Sequence, residues 1–479
     1  MKASPCTSTS SKSGAAKMER WSSKPSARTS PSSPLRTTSR DVQSHPTVSS
    51  MCRKSMAMAV LSRSPGPRTN RTQIITEHKK ANMNATQTKP SALPYIATTA
   101  YYLSFIILGL TTAASGPSLL KLAEHTSSAI DRISLIFVFS SLGYLIGSFL
   151  GGRAYDRFSS HRLMSTTLAI MGITCVLIPI ARTLEVLLLA MFLNGLAAGI
   201  LDVGCNTLLM WTHGKKAGPF LNGLHFFFGV GSLLAPLLLA QVLLRTNDIH
   251  WLYWSFAIVS LPIMIWLWSL PEPGHRGAND TGNASFPILP VLVMVILFFL
   301  YVGLELGFGN WIYAYALTLK LENDITAAYL TSAFWGSFTF GRLLGVWIST
   351  RLRSKTILFM DIFGCAISIA IIMVWKDSSL ALRVGTIGLG ISMASIFPTF
   401  IMLAGERMQI TGAITGWFLV GSGAGSMLLP WLIGQVFVIT GPQAMTTVLS
   451  VALVSLLLAL LFFISIKTNP LPEPTPSAD

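Results

Sequence analysis

From Pro94 to Ile466 one apolar stretch follows another, with charged and turn-forming residues confined to the gaps. Most stretches reach the roughly 20 residues a helix needs to cross a hydrocarbon core about 30 Å thick. Turn signals and charges divide them at 94–117, 134–152, 163–181, 184–210, 220–244, 251–270, 286–319, 325–349, 355–375, 380–404, 411–438 and 442–466. Helices are the expected form, because lipid offers backbone N–H and C=O groups no partner outside their own segment. Barrel strands would instead read as alternating ten-residue segments. The pattern predicts an all-α membrane protein with twelve transmembrane helices, parted into six and six by "PEPGHRGANDTGNAS" at 271–285.

Two lines are nearly repeated. "GVGSLLAPLLLAQV" at 229–242 and "GAGSMLLPWLIGQV" at 423–436 agree at eight of fourteen positions, among them Pro236/Pro430 and Gln241/Gln435. They fall in the fifth and eleventh stretches. "GYLIGSFLGGR" at 143–153 matches "GRLLGVWISTR" at 341–351 through Gly143/Gly341, Leu145/Leu343, Gly147/Gly345 and Arg153/Arg351, in the second and eighth. Six crossings separate the copies, an even number, so two like-oriented halves are expected.

Composition agrees: 51% of the 479 residues are hydrophobic and 11% charged, against about a quarter charged in a soluble domain. The net charge of +16 belongs mostly to a tail, because residues 1–90 hold 16 Lys/Arg and 3 Asp/Glu, a net of +13 that leaves +3 for the rest. A Ser-, Thr- and Pro-rich basic segment with few aliphatics is expected to be disordered, and its charge does not point to nucleic acid. Three readings of the tail stay open: a solvated cytosolic arm near anionic lipid, an organellar transit peptide, or an upstream stretch before a true start at Met83. The expected organisation is a tail at 1–92, a six-helix bundle at 93–270, a central cytosolic loop at 271–285, a second bundle at 286–467 and a cytosolic tail at 468–479.

With the tail excluded, eleven Lys/Arg lie in loops on its side of the bilayer and seven in the opposite loops. Positive residues favour the cytoplasm, which places both termini there in a plasma-membrane protein. The N-x-S/T triplets at Asn84, Asn279 and Asn283 then stay unglycosylated. Cys6 and Cys52 lie in the tail, while Cys175, Cys205 and Cys365 read as small buried apolar residues rather than disulfides or metal ligands.

Ionisable groups inside a span cost about 2.5–3.5 kcal/mol each on insertion scales, so their retention points to use. Asp202 and Asn206 share one helical face with Asn194 two turns earlier, a polar stripe that must face a bundle interior or a watery cleft. Glu305 sits among Gly303, Gly307 and Gly309 in the seventh span, with Arg342 a candidate partner. Either acid suits ion coupling, by carrying a proton or binding sodium. His225 is either a hydrogen-bonded polar residue or a titrating group. Asn310, Trp311, Trp335 and Trp417 supply amides and flat apolar faces that suit a sugar, against the alternative that the tryptophans lie at the membrane interface. Ser392, Ser395 and Thr399 read as small-residue packing. Phosphate loops, HExxH and the nucleophile elbow are absent, which argues against an enzyme.

"GGRAYDRFSSHR", after the second span, is similar to the G-x-x-x-D-R-x-G-R-R signature of the major facilitator superfamily through Gly152, Asp156 and Arg157. It departs where Ser159, Ser160 and His161 replace the glycine and basic residues. The resemblance implies two parallel six-helix repeats that rock about a mid-membrane substrate site, with this loop in gating; Arg342, near the cytoplasmic end of the eighth span, reads by its position as a gate residue or one that snorkels to the interface. "LDVGCNTLLMW", "NGLHFFFGVGSLLAP", "YVGLELGFGNWI" and "SMASIFPTF" together resemble the branch of fucose permease and the sodium-dependent glucose transporter-like proteins. Asp202 and Asn206 match that branch's coupling acid and following Asn, and His225 a sugar-contacting position, but the acid of fucose permease's first helix is missing here. The resemblance implies Na+ or H+ symport of a monosaccharide such as glucose or fucose; combined with the residue reading above, the sugar is expected to be touched by His225, Asn206, Asn310 and the tryptophans, with Asp202 and Glu305 coupling the ion. A drug or organic-anion exporter and a non-transporting sugar sensor or adaptor stay open. The expected partners are a small molecule and the bilayer, without nucleic acid; no resident cofactor or metal is expected, and a monomer is adequate.

Overall fold

The computed structural model describes residues 93–272 and 287–466. The expectations for the tail, the start at Met83, the glycosylation triplets, Cys6 and Cys52, the C-terminal segment and most of the central loop lie outside the described residues. Twelve helical spans run in chain order: α1 (Leu93–Ala114), α2 (Leu135–Arg157), α3 (Ser160–Leu177), α4 (Leu184–His213), α5 (Ala217–Thr246), α6 (His250–Ser269), α7 (Ile288–Thr318), α8 (Asp324–Ser349), α9 (Ser354–Val374), α10 in two pieces (Ser379–Met393 and Ile396–Gly405), α11 (Gly412–Thr440) and α12 (Ala444–Ser465). A short helix, Leu119–His125, and a turn, Ile130–Ile133, precede α2. Eleven spans are long and apolar enough to cross a membrane. The remaining one is α8. Its 26 residues include Ser332, Thr339 and Arg342, and these meet the other half or the central cavity instead of lipid.

Each half is packed on the same plan, which is why the chain repeats itself. α2 lies on α4 as α8 lies on α10, α1 on α5 as α7 on α11, and α3 on α6; the halves meet through α5 with α8 and α2 with α11. A side chain at Gly143 or Gly147 would strike the α4 backbone, and one at Gly341 or Gly345 would strike α10. Gly231 abuts the α1 backbone at Ile106, while Gly425 abuts α7 at Phe299. Gly229 and Gly423 face across the seam, the first onto Thr339 of α8 and the second onto Leu145 of α2. Without a hydrophobic drive between helices in lipid, such close approach supplies the contacts that hold them.

α10 breaks at Ala394 and Ser395. Pro398 has no N–H to donate to the Ala394 carbonyl four residues earlier, and Tyr301 Oη donates to the Met393 carbonyl at 3.0 Å, fixing the break from α7. Cys175, Cys205 and Cys365 are free and buried.

We call the end where α1 begins and α12 finishes proximal, and the opposite end distal. Distally, Arg383 donates to both oxygens of Glu322, Nε to Oε1 at 2.7 Å and Nη2 to Oε2 at 2.9 Å, and Ser379 Oγ donates to Oε1 at 2.5 Å. The Arg383 hydrogen bond chiefly holds the Glu322 carboxyl down at about 2. A depressed folded pKa stabilises above the unfolded value and loses that contribution as pH falls through the folded one. Because Arg383 is 54% exposed, solvent screening leaves roughly 1–2 kcal/mol. Glu322→Gln should therefore lower the thermal midpoint of the purified protein at pH 7, with the gap to the parent shrinking toward pH 2. A gap that is constant from pH 7 to pH 3 would assign the effect to packing.

Candidate functional site

A cavity of about 680 Å³ lies between the halves, within the range of small-molecule sites. Among the candidates read from the sequence, Asp202 and His225 reach it from the first half, and Glu305, Asn310, Trp335 and Arg342 from the second. Asn194 also lines it, with its amide donating to Thr174 Oγ1 at 2.8 Å.

Asp202 is the best-held group. Tyr144 Oη on α2 donates to its Oδ2, and Asn206 Nδ2 donates to its Oδ1 at 2.9 Å and to its backbone carbonyl at 3.0 Å. One carboxylate thus receives two donors inside the membrane, which offset part of the cost of removing it from water. Asn206 is tied to Asp202 and is not part of the cavity wall, so its place is behind the acid. Tyr144 escaped the sequence reading, although it stands beside Gly143 in the duplicated line, where Arg342 follows Gly341 in the other half.

Glu305 is 8% exposed and Asn310 7%. Glu305 and Arg342 share the wall without forming an ion pair; the Arg342 guanidinium lies over the Phe338 ring, 4.5 Å from its centroid. His225 sets its ring edge-on to Phe105 at 6.0 Å. The Trp335 indole Nε1 is buried and has no hydrogen-bond partner, so a donor stands unused in a residue of the wall. Two tryptophans are elsewhere. Trp311 is fully buried and donates Nε1–H to the Pro430 carbonyl at 2.9 Å, bracing α7 on α11, while Trp417 is 53% exposed and outside the cavity wall.

Ser395 and Thr399 of the broken α10 also line the cavity, a place that packing alone did not suggest. Ser395 Oγ donates to Asp361 Oδ2 on α9 at 2.6 Å. Asp361, an acid well inside a span, is a second residue the sequence reading missed; the cost of a charge in lipid was the signal available to find it.

The hydrogen bonds that cross between halves gather toward the distal end. Gln241 Nε2 donates to Tyr329 Oη at 2.9 Å, and Gln435 Nε2 to the Asp131 carbonyl at 2.9 Å and Ser134 Oγ at 3.3 Å. These are the duplicated glutamines, each crossing to the opposite half. Ser332 Oγ donates to the Leu233 carbonyl at 2.7 Å, and Ser426 Oγ to Ser141 Oγ at 3.1 Å. At the proximal end the ties remain within a half: Ser160 N to Glu272, Ser354 to Glu406, and Arg407 to the carbonyls of Phe463, Ile464 and Ile466. Gly152, Asp156 and Arg157 are exposed at the proximal end of α2, and both charged side chains lack an ion pair among the described residues.

The family model for the Major Facilitator Superfamily matches residues 101–430. The chain belongs to the major facilitator superfamily. Like other members it is a multi-pass integral membrane protein, a transporter of small molecules rather than an enzyme. It is 29% identical over 372 residues to sodium-dependent glucose transporter 1A of Mus musculus, covering 70% of this chain and 88% of that one. It is 26% identical to the superfamily's domain-containing protein 4A of Homo sapiens, over 71% of this chain and 86% of that one. Among solved superfamily structures, the nucleoside transporter NupG superposes with a TM-score of 0.60 at 15% identity, covering 78% of this chain and 100% of that one. A D-xylose-proton symporter does so at 0.60 and 13%, over 77% and 97%. At those identities the structures speak for the fold alone.

Each glutamine tie is worth about 1 kcal/mol, so replacing both by alanine should raise the distal-open population of this transporter up to about thirtyfold. The check is a cysteine placed at Ser115, on a background with Cys175, Cys205 and Cys365 replaced by alanine, and its rate of reaction with an impermeant maleimide applied to the distal face. An unchanged rate would mean that packing alone closes that end.

Proposed function

We propose that the chain moves a monosaccharide across the plasma membrane by alternating access, driven by a Na+ or H+ gradient. The observation that carries the proposal is Asp202, held by Tyr144 and Asn206 at a cavity shared by both halves. A site for an apolar solute has no need of such a group. His225 and Asn310 offer hydrogen bonds to hydroxyls, and Trp335, 1% exposed in this conformation, borders the cavity with an unpartnered indole N–H that a substrate can reach once its neighbours move aside. Asp202 carries the ion linkage and Glu305 supports it from the facing half. The name of the mouse relative agrees with this chemistry.

In the cycle we infer, the proximal end is cytosolic, as the positive loops direct, and the conformation described is closed at the distal face. Binding at the distal-open stage is followed by closure along the α5–α8 and α2–α11 seams, where Gln241 and Gln435 make their bonds. The exposed last turns of α2, with Gly152, Asp156 and Arg157, find their partners when the proximal end closes.

In proteoliposomes, Asp202→Asn should abolish gradient-driven accumulation while sparing sugar exchange, because the neutral amide keeps the shape and removes the coupling charge. Uphill uptake at the parental rate in that variant would overturn the assignment. Varying sodium and pH independently in the same vesicles identifies the ion. Trp335→Phe keeps the ring and loses one donor, so the apparent KM for sugar should rise about three- to tenfold; an unchanged KM would remove Trp335 from the sugar site.

A further inference from the structure

Away from the cavity, at the distal end of the first half, His125, Asp248 and His250 converge with one ligand atom each, all within 4.8 Å of one another. They arrive from two places in the chain, His125 from the last turn of the helix Leu119–His125, and Asp248 and His250 from the corner between α5 and α6. We propose that this trio is a binding site for a divalent transition metal, with Zn2+ as the ion it fits.

The proton on His125 is placed by its other neighbour. Its Nδ1 lies 3.0 Å from the Pro179 carbonyl, and a carbonyl only accepts, so Nδ1 donates. In the neutral ring Nε2 then presents a lone pair, and it points at Asp248 Oδ1 from 3.2 Å. A backbone carbonyl holding one ring nitrogen so that the other is free for an ion is the usual support of a metal-bound histidine. His250 Nδ1 lies 2.9 Å from Asp248 Oδ2, and the imidazole centroids are 5.3 Å apart. Two donors on one tetrahedral zinc, each about 2.0–2.1 Å from it, stand roughly 3.3 Å apart. The spacings from carboxylate to imidazole are thus close to those an ion requires.

The carboxylate is held as well, for Ile249 N donates to Asp248 Oδ1 at 2.6 Å, and the αL residue Asn247 (φ 51°) turns the corner that brings Asp248 and His250 together. The side chains are 12%, 37% and 25% exposed for His125, Asp248 and His250, so an ion can enter from water and retain a water as its fourth ligand. Two imidazoles and one carboxylate suit zinc better than magnesium or calcium, which prefer all-oxygen shells. Bound there, the ion would clasp the α1–α2 connection to the α5–α6 corner, a few residues before Asp131, whose carbonyl receives Gln435.

The experiment uses the full chain in detergent after EDTA treatment and titrates it with Zn2+ alone, against a chromophoric chelator. A background from the histidines and cysteines of the tail is measured in the His125→Ala/His250→Ala double variant. The expected result is one additional equivalent of zinc in the parent, at least tenfold weaker in His125→Ala, His250→Ala and Asp248→Asn. In the parent itself, without any substitution, zinc should protect His125 and His250 from diethylpyrocarbonate while leaving His213 at its unliganded rate, as read by peptide mass spectrometry. Equal zinc binding in parent and double variant, or a parent in which zinc leaves the modification of His125 and His250 unchanged, would overturn the proposal and reduce the trio to an ion-pair cluster. The footprint decides the matter even if a variant fails to fold.

Discussion

The close meeting of helix backbones where glycine removes the side chain is the contact on which the rest of this molecule depends. In lipid, apolar side chains gain little by leaving their surroundings for one another, so contact surface and the few polar bonds across it must hold the bundle. Gly143, Gly147 and Gly231 let α2 and α5 settle onto α4 and α1, and Gly341, Gly345 and Gly425 repeat the arrangement in the second half. Gly229 and Gly423 extend it across the seam to Thr339 and Leu145. The two bundles are joined along two seams, and the hydrogen bonds between halves lie along them.

The central cavity lies between these seams, lined from both halves. Its polar groups fall into two kinds. Some are already satisfied, such as Asp202 with Tyr144 and Asn206, or Asn194 with Thr174. Trp335 Nε1 has no partner, and Glu305 and Arg342 face one space without touching. The satisfied groups set the shape and charge of the wall; under the proposed function the others are where a substrate would add a partner. In the proposed function, one acid held in fixed geometry is the group that would link ion occupancy to the fit of the two halves.

Span positions were legible in the chain because the bilayer imposes a length and a composition that composition alone reveals. α8 is the informative exception. Its Thr, Ser and Arg residues hold it below the apolarity of the other spans, since it spends its surface on α5 and the cavity. The acids at 202 and 305 were legible for the same reason, as charges in oil. Which tryptophans line the cavity was not. Trp311, Trp335 and Trp417 look alike along the chain, yet one braces α11, one lines the cavity and one points outward. The difference is a helix rotation set by packing.

By itself the sequence determined the twelve crossings, their division into two like-oriented halves, the duplicated glycine and glutamine positions and the acid at the centre. All of these follow from local chemistry: the length of a span, the cost of a charge and the recurrence of a motif. Only the tertiary structure decided that Tyr144 and Asn206 share the Asp202 carboxylate, that Gln241 and Gln435 bridge opposite seams, that Asp361 stands behind Ser395, and that His125 meets Asp248 and His250. Apart from Asn206, one turn along α4 from Asp202, those pairings join residues from different helices or loops. They depend on rotations and offsets that emerge only when all the helices pack at once, so no single stretch of chain records them.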